Sequence, residues 1–213
     1  MSTVLVIYAH PQSDKESSTK ALYNHFINAY KSSHPDDKII EHNVSEYMPF
    51  PLNKIAISIY NKSMARQSFN ADEERFKEAR QKWIDEFVQA DKYVFVNPMY
   101  NLFIPAEMKS YIDIVMQVPD TFHYTSAGIP EGNLHNKKAI HIQANGGNYH
   151  GSNGAPDASS LDLGHQYIGT ILHIMGVDDY QGVFAEGMDH DPQNAEKILN
   201  QAFEKAEEAG KKF

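Results

Sequence analysis

Cysteine is missing from this sequence of 213 residues. Disulfides, thiolate metal centres and a cysteine nucleophile are therefore excluded, and the absence suits a reducing compartment. No apolar run approaches the roughly 20 residues that span a bilayer. The first apolar run, residues 4–8, is too short for a secretory signal and lacks its basic start. A soluble, cytoplasmic protein is expected. An excess of positive charge is also missing. The net charge of −9 argues against nucleic acid as the main partner, which would need a basic face. Neither GxGxxG, nor the Walker A glycines and lysine, nor GxSxG occurs. A dinucleotide fingerprint, a nucleoside triphosphate loop and a serine-hydrolase elbow are thereby absent. Without internal repeats, low-complexity tracts or an obvious linker, the chain reads as one domain over residues 1–213.

What is present is a regular alternation. Apolar residues make up 41% of the chain, enough for a real core. Short β-branched or aromatic runs predict strands at 4–8, 38–44, 92–97, 138–144 and 180–185. Between them, Leu22, Phe26, Ile27 and Tyr30 recur at helical spacing behind Ser17, Ser18 and Thr19. Further helices are predicted at 71–90, 105–117, 160–175 and 193–209. Residues 45–70 read as a loop-rich insert with a short helix near 55–64, and 118–137 as a loop containing glycine and proline. Strands alternating with helices imply a parallel sheet covered on both faces. The expected class is α/β: a flavodoxin-like, doubly wound sheet of five strands, order 2-1-3-4-5, with helices on both faces.

Ligands of such sheets bind outside the carboxyl ends of the strands, near the switch in strand order. Three loops leave those ends here. The first, residues 10–19, offers Ser17, Ser18 and Thr19 at a helix N-terminus and His10 nearby, donors that suit a phosphate. Simple N-capping is what most such hydroxyl runs do. In the second, Pro98, Met99, Tyr100, Asn101, Leu102 and Phe103 form an apolar and aromatic strip with one amide, suited to a planar heteroaromatic ring. Core packing of Met99 and Phe103 is the alternative. The third places Asn145 before Gly146 and Gly147, which let backbone approach a ligand or make an ordinary turn. Together the loops have the layout of a mononucleotide flavin site, in which the cofactor carries the redox chemistry. No metal is expected: Asp189-His190-Asp191 reads as a solvated loop before Pro192.

Longer motifs point the same way: Asn97-Pro98-Met99-Tyr100-Asn101, Ile104-Pro105-Ala106-Glu107-Met108-Lys109, Tyr111-Ile112-Asp113, Thr121-Phe122-His123-Tyr124-Thr125, Pro130-Glu131 between Gly128 and Gly132, Lys137-Lys138-Ala139, Gly146-Gly147 and Val183-Phe184-Ala185-Glu186-Gly187. In combination, and through most of the length, the chain resembles the FMN-dependent NADH-azoreductases, within the flavodoxin-like NAD(P)H:quinone oxidoreductases. The resemblance implies a homodimeric flavoprotein with FMN at the subunit interface. NADH or NADPH would reduce it and leave, and a quinone or azo acceptor would then enter the same place, a ping-pong cycle. It further implies that Ser17, Ser18 and His10 hold the phosphate, and that Pro98, Met99, Tyr100, Asn101 and Leu102 lie along the ring. Asn145, Gly146 and Gly147 would meet its pyrimidine edge, and Phe122 and Tyr124 would wall the substrate side. No side chain would be catalytic in its own right. The chain departs from the family pattern at Ala9-His10, where a serine is common, and at Ala144-Asn145-Gly146-Gly147, which lacks the usual arginine. An electron carrier without its own turnover is the rival reading. A hydrolase is a third, for which no metal or nucleophile cluster is evident.

Overall fold

In a computed structural model of the protein, residues 1–11, 17–47, 51–151 and 156–213 are described. The predicted loop positions 12–16, 48–50 and 152–155 lie outside the described residues. The chain runs β1 (Thr3–Tyr8), α1 (Ser18–Ser33), β2 (Lys38–Asn43), α2 (Lys54–Met64), α3 (Ala71–Gln89), β3 (Lys92–Pro98), α4 (Ala106–Val115), β4 (Phe122–Tyr124), β5 (Pro130–Gly132), β6 (Lys138–Asn145), α5 (Leu163–Met175), β7 (Asp179–Glu186) and α6 (Ala195–Lys212).

Alternation along the strands builds two cores. In β1, Leu5 and Ile7 join one buried cluster, with Tyr93, Phe95 and side chains of α3, α4 and α5. Val4 and Val6 join the other, with Val94, Val96, Ile140, Ile142 and side chains of α1 and α6. A strand buried on both faces is what a parallel sheet requires. The sheet order is β2-β1-β3-β6-β7, all parallel. With the small β4–β5 pair set aside, this is the expected order 2-1-3-4-5.

The segment 118–137 is more than a loop, because β4 and β5 pair antiparallel within it. Gly132 presses so closely on the end of α5 that a Cβ there would fall 2.2 Å from the Gly176 nitrogen. The Leu134 N–H donates to Met175 O at 2.9 Å. Helix α5 starts at Leu163, behind a short 3-10 turn over Ser159–Leu161, instead of at residue 160. The cause is local: the Asp162 side chain accepts from His165 N and caps the helix.

Candidate functional site

The carboxyl ends of β1, β3 and β6 stand side by side. Ala9 N donates to Val96 O at 2.8 Å, and Met99 N to Ala144 O at 3.3 Å. Adjacent strands lie about 4.8 Å apart, so the exits of β1 and β6 are separated by about 10 Å. The strand ends from which the three candidate loops leave therefore share one edge, where the chain passes from β1 to β2 on one side and to β3 on the other.

The second loop is a tight turn. Tyr100 and Phe103 exchange both backbone hydrogen bonds, at 2.9 and 3.0 Å. Asn101 and Leu102 between them have φ of 51° and 65°. Two left-handed central residues make a primed hairpin turn, which asparagine tolerates and leucine resists by about 1–2 kcal/mol. Helix α5 holds the turn: Gly164 N donates to Leu102 O at 3.2 Å, and a Cβ on Gly164 would lie 3.0 Å from Ile104 N. Phe103 does pack on the core, with its ring 5.3 Å from that of Tyr167. Met99 belongs to neither core cluster among the described residues and is half-buried. Tyr100 is 46% exposed. Met99, Tyr100 and Leu102 thus present an apolar strip that the protein itself leaves partly uncovered.

The third loop is braced by its neighbours. Asn145 donates its amide to Gly147 O at 2.8 Å. Gly187 N and Asp189 N donate to Gly147 O and Gly146 O, at 2.7 and 3.0 Å. A Cβ on Gly146 would fall 1.8 Å from the Asp189 carboxylate. Close approach of the β7 exit, not a left-handed φ, is what demands glycine there. At the first loop, Ser17 caps α1, its Oγ accepting from Lys20 N at 3.2 Å, and Ser18 is the first helical residue. The capping role of Ser17 leaves the positive end of α1 on the same edge. His10 and Ser17 line a cavity of about 560 Å³ with Tyr8, Lys20, Tyr23 and Glu41.

Three comparisons agree with these observations. The profile of a protein family described as having a flavodoxin-like fold matches residues 2–209. An FMN-dependent NADH:quinone oxidoreductase 1 of Lactococcus lactis is 38% identical over 216 residues, covering 100% of both chains. A Geobacillus kaustophilus FMN-dependent NADH:quinone oxidoreductase is 39% identical over 217 residues, again across 100% of both. This chain belongs to the FMN-dependent NADH:quinone oxidoreductase family. Among solved structures, an FMN-dependent NADH-azoreductase from Bacillus anthracis in complex with FMN superposes with a TM-score of 0.89. It is 29% identical, and the match covers 100% of this chain and 99% of that one.

Phe122 and Tyr124, expected on the substrate side, both lie on β4. Phe122 is buried and Tyr124 is 59% exposed. Phe122 pairs with Gly132, which abuts the carboxyl end of α5. Leu102 meets the amino end of that helix. Thirteen helical residues, about 20 Å, separate the two ends. Within one chain, the strip and the Phe122–Tyr124 pair do not meet.

A buried polar network under the loops was not singled out by the sequence. His141 Nε2 lies 3.1 Å from Asn97 Oδ1, and its Nδ1 lies 3.1 Å from His165 Nδ1. The Tyr180 hydroxyl is 2.7 Å from that same His165 nitrogen. Burial holds His141 well below the ordinary histidine range and lowers His165 to about 4, so both rings are neutral near pH 7. Gln143 donates to Asp162 at 2.6 Å. Glu186 accepts from the backbone N–H groups of Tyr149 and His150 and lies 3.0 Å from His150 Nδ1. Its only signal in the sequence was its place in the Val183–Gly187 motif. Among the described residues, no group of three His, Cys, Asp or Glu side chains converges as a metal site.

Proposed function

We propose that this protein is an FMN-dependent NAD(P)H oxidoreductase that reduces quinones and azo compounds. The observation that carries the reading is the partly uncovered strip of Met99, Tyr100 and Leu102, held in a costly left-handed turn beside the Gly146–Gly147 turn and the α1 N-terminus. A strained, half-exposed apolar turn is what a flat ring contact would explain. Ser17, Ser18 and His10 would hold the phosphate. Pro98, Met99, Tyr100, Asn101 and Leu102 would lie along the ring, and Asn145, Gly146 and Gly147 at its polar edge. FMN, when bound, supplies hydride acceptance and donation, which no side chain of this protein offers.

The protein's own contribution is orientation and exclusion of water, and no side chain needs to act as an acid or base. The nicotinamide donor and the acceptor would occupy the same space in turn, the ping-pong order. The chain forms a single flavodoxin-like domain in this reading and works in the cytoplasm. A homodimer is part of the proposal, because Phe122 and Tyr124 can wall the site only from a second copy. Leu52, Ile57, Tyr60 and Met64, exposed beside a groove of about 510 Å³, would supply apolar surface for it. Among the described residues, no helix is long and apolar enough to cross a membrane.

The test is a visible spectrum of purified protein after incubation with FMN and gel filtration. Retained flavin bands that bleach anaerobically with NADH and return with a quinone are expected. Retained flavin that neither NADH nor NADPH bleaches would instead indicate an electron carrier. Loss of all flavin on the column would overturn the reading.

A further inference from the structure

The network beneath the strip contains a chain of hydrogen bonds whose polarity is dictated from one end. The Pro98 carbonyl can only accept, and Asn97 Nδ2 lies 3.0 Å from it. That contact orients the Asn97 amide and turns its Oδ1 towards His141 Nε2. The nitrogen facing this oxygen must carry the proton. The second nitrogen of a neutral His141, Nδ1, is then an acceptor, and the His165 Nδ1–H opposite it must donate. The Tyr180 oxygen shares that proton and sends its own to the His165 carbonyl, 3.1 Å away. Asn97 and His141 are fully buried, so no water competes for these roles.

We propose that His141 is a positioning residue: fixed as the Nε2–H tautomer, it locks the Asn97 amide onto the Pro98 carbonyl and so sets the direction in which Met99 and Tyr100 leave β3. The inference rests on the flavin reading for its functional consequence, but not for its geometry. Pro98 is the last residue of β3, and Met99 N makes the next bond across to Ala144. A rotation at Pro98 would therefore be passed directly to the strip. His141 is fully buried and acts through Asn97. The alternative tautomer would set two lone pairs against each other, on His141 Nε2 and Asn97 Oδ1. The alternative amide rotamer would set Asn97 Oδ1 against the Pro98 carbonyl. Both are disfavoured in a buried site, where an unmade hydrogen bond carries its full desolvation cost.

Two measurements need no flavin. Imidazole ¹⁵N spectra of the apo protein should show His141 as the Nε2–H tautomer, and an Nδ1–H tautomer would overturn the proposal. Amide exchange at Met99 should be about tenfold faster in His141→Leu, the effect of one buried acceptor left unpaired. It should return towards the wild-type rate in His141→Gln, whose amide can still donate to Asn97. Unchanged protection in His141→Leu would overturn the proposal, as would equal loss in both variants. Asn97→Leu should reproduce the His141→Leu effect, and the double variant should add little to it; additive effects would mean independent roles. In wild-type background that binds FMN, His141→Leu should also raise the FMN dissociation constant about tenfold, with recovery in His141→Gln. A wild type that binds no FMN would remove the flavin reading alone, leaving the tautomer and exchange results to decide the role of His141.

Discussion

The Glu186 carboxylate at the end of β7 accepts the backbone N–H groups of both Tyr149 and His150, each at 3.0 Å. The His150 ring, stacked at 3.8 Å on Phe184, returns a third contact through Nδ1. One buried side chain thus ties the segment after Gly146–Gly147 to the neighbouring strand. Glu186→Ala would strand two backbone donors in a site that is 2% exposed. The expected cost is about 2–3 kcal/mol in urea unfolding, with early proteolysis in the segment after Gly147. A variant within about 0.5 kcal/mol of wild type would show that water replaces the carboxylate without loss.

Gly146 is explained by Asp189. With a Cβ 1.8 Å from the Asp189 oxygen and 2.4 Å from its Cγ, Gly146→Ala must displace that side chain. Asp189 is exposed, so the displacement should cost only about 1 kcal/mol. Removing the obstacle with Asp189→Ala should restore most of it, giving a coupling energy of similar size in a double-mutant cycle. Additive losses would mean that the glycine is needed for its backbone and not for the space.

Legibility of the fold followed from local pattern. The runs at β1, β3 and β6 declare themselves because both faces are buried and the residues are β-branched or aromatic. The hairpin of β4 and β5 does not. Its strands are three residues each, one reads Pro130-Glu131-Gly132, and what holds it is the distant Gly176. The candidate loops were legible because strand ends and glycine pairs are local signals. The network of Asn97, His141, His165 and Glu186 was not, since its partners lie 24 to 44 residues apart. A polar residue inside a strand run reads as surface alternation until its neighbour is known. The resemblance placed Phe122 and Tyr124 in the site, yet their position 20 Å or so along α5 is a consequence of topology that no motif states.

Leu102 pays a backbone cost for a contact surface. At φ 65° a leucine is strained where glycine would not be. Leu102→Gly should leave the unfolding free energy unchanged or raise it by up to about 1 kcal/mol, while FMN binding weakens several-fold because the strip loses its apolar side chain. Fluorescence titration and thermal unfolding on the same sample separate the two effects. A joint fall in both would mean that Leu102 is a packing residue first. Unchanged FMN affinity would remove it from the ring-facing strip.

Acid should act on the buried histidines before it acts on the carboxylates. Burial depresses His165 to about 4 and holds His141 well below the ordinary histidine range. In the unfolded chain both would titrate near 6.5. Between those values the unfolded state binds more protons, so stability falls as the pH drops. The contribution is complete above about pH 6.5 and is lost progressively as pH falls through 4. Glu73 follows in a lower window. Its bonds to Lys62, the Asn70 N–H and Ser58 hold it at about 2 against an ordinary 4.5, so its contribution, present above that ordinary value, fades only below it. Urea unfolding at pH 7.5, 6, 5 and 4 should therefore show a decline that begins near 6.5. His165→Gln should flatten the upper part of the curve while leaving the part below pH 4.5 in place. A wild-type curve level from pH 7.5 down to 5 would mean that these rings reach water and titrate freely, which the Asn97–His141–His165 chain does not allow.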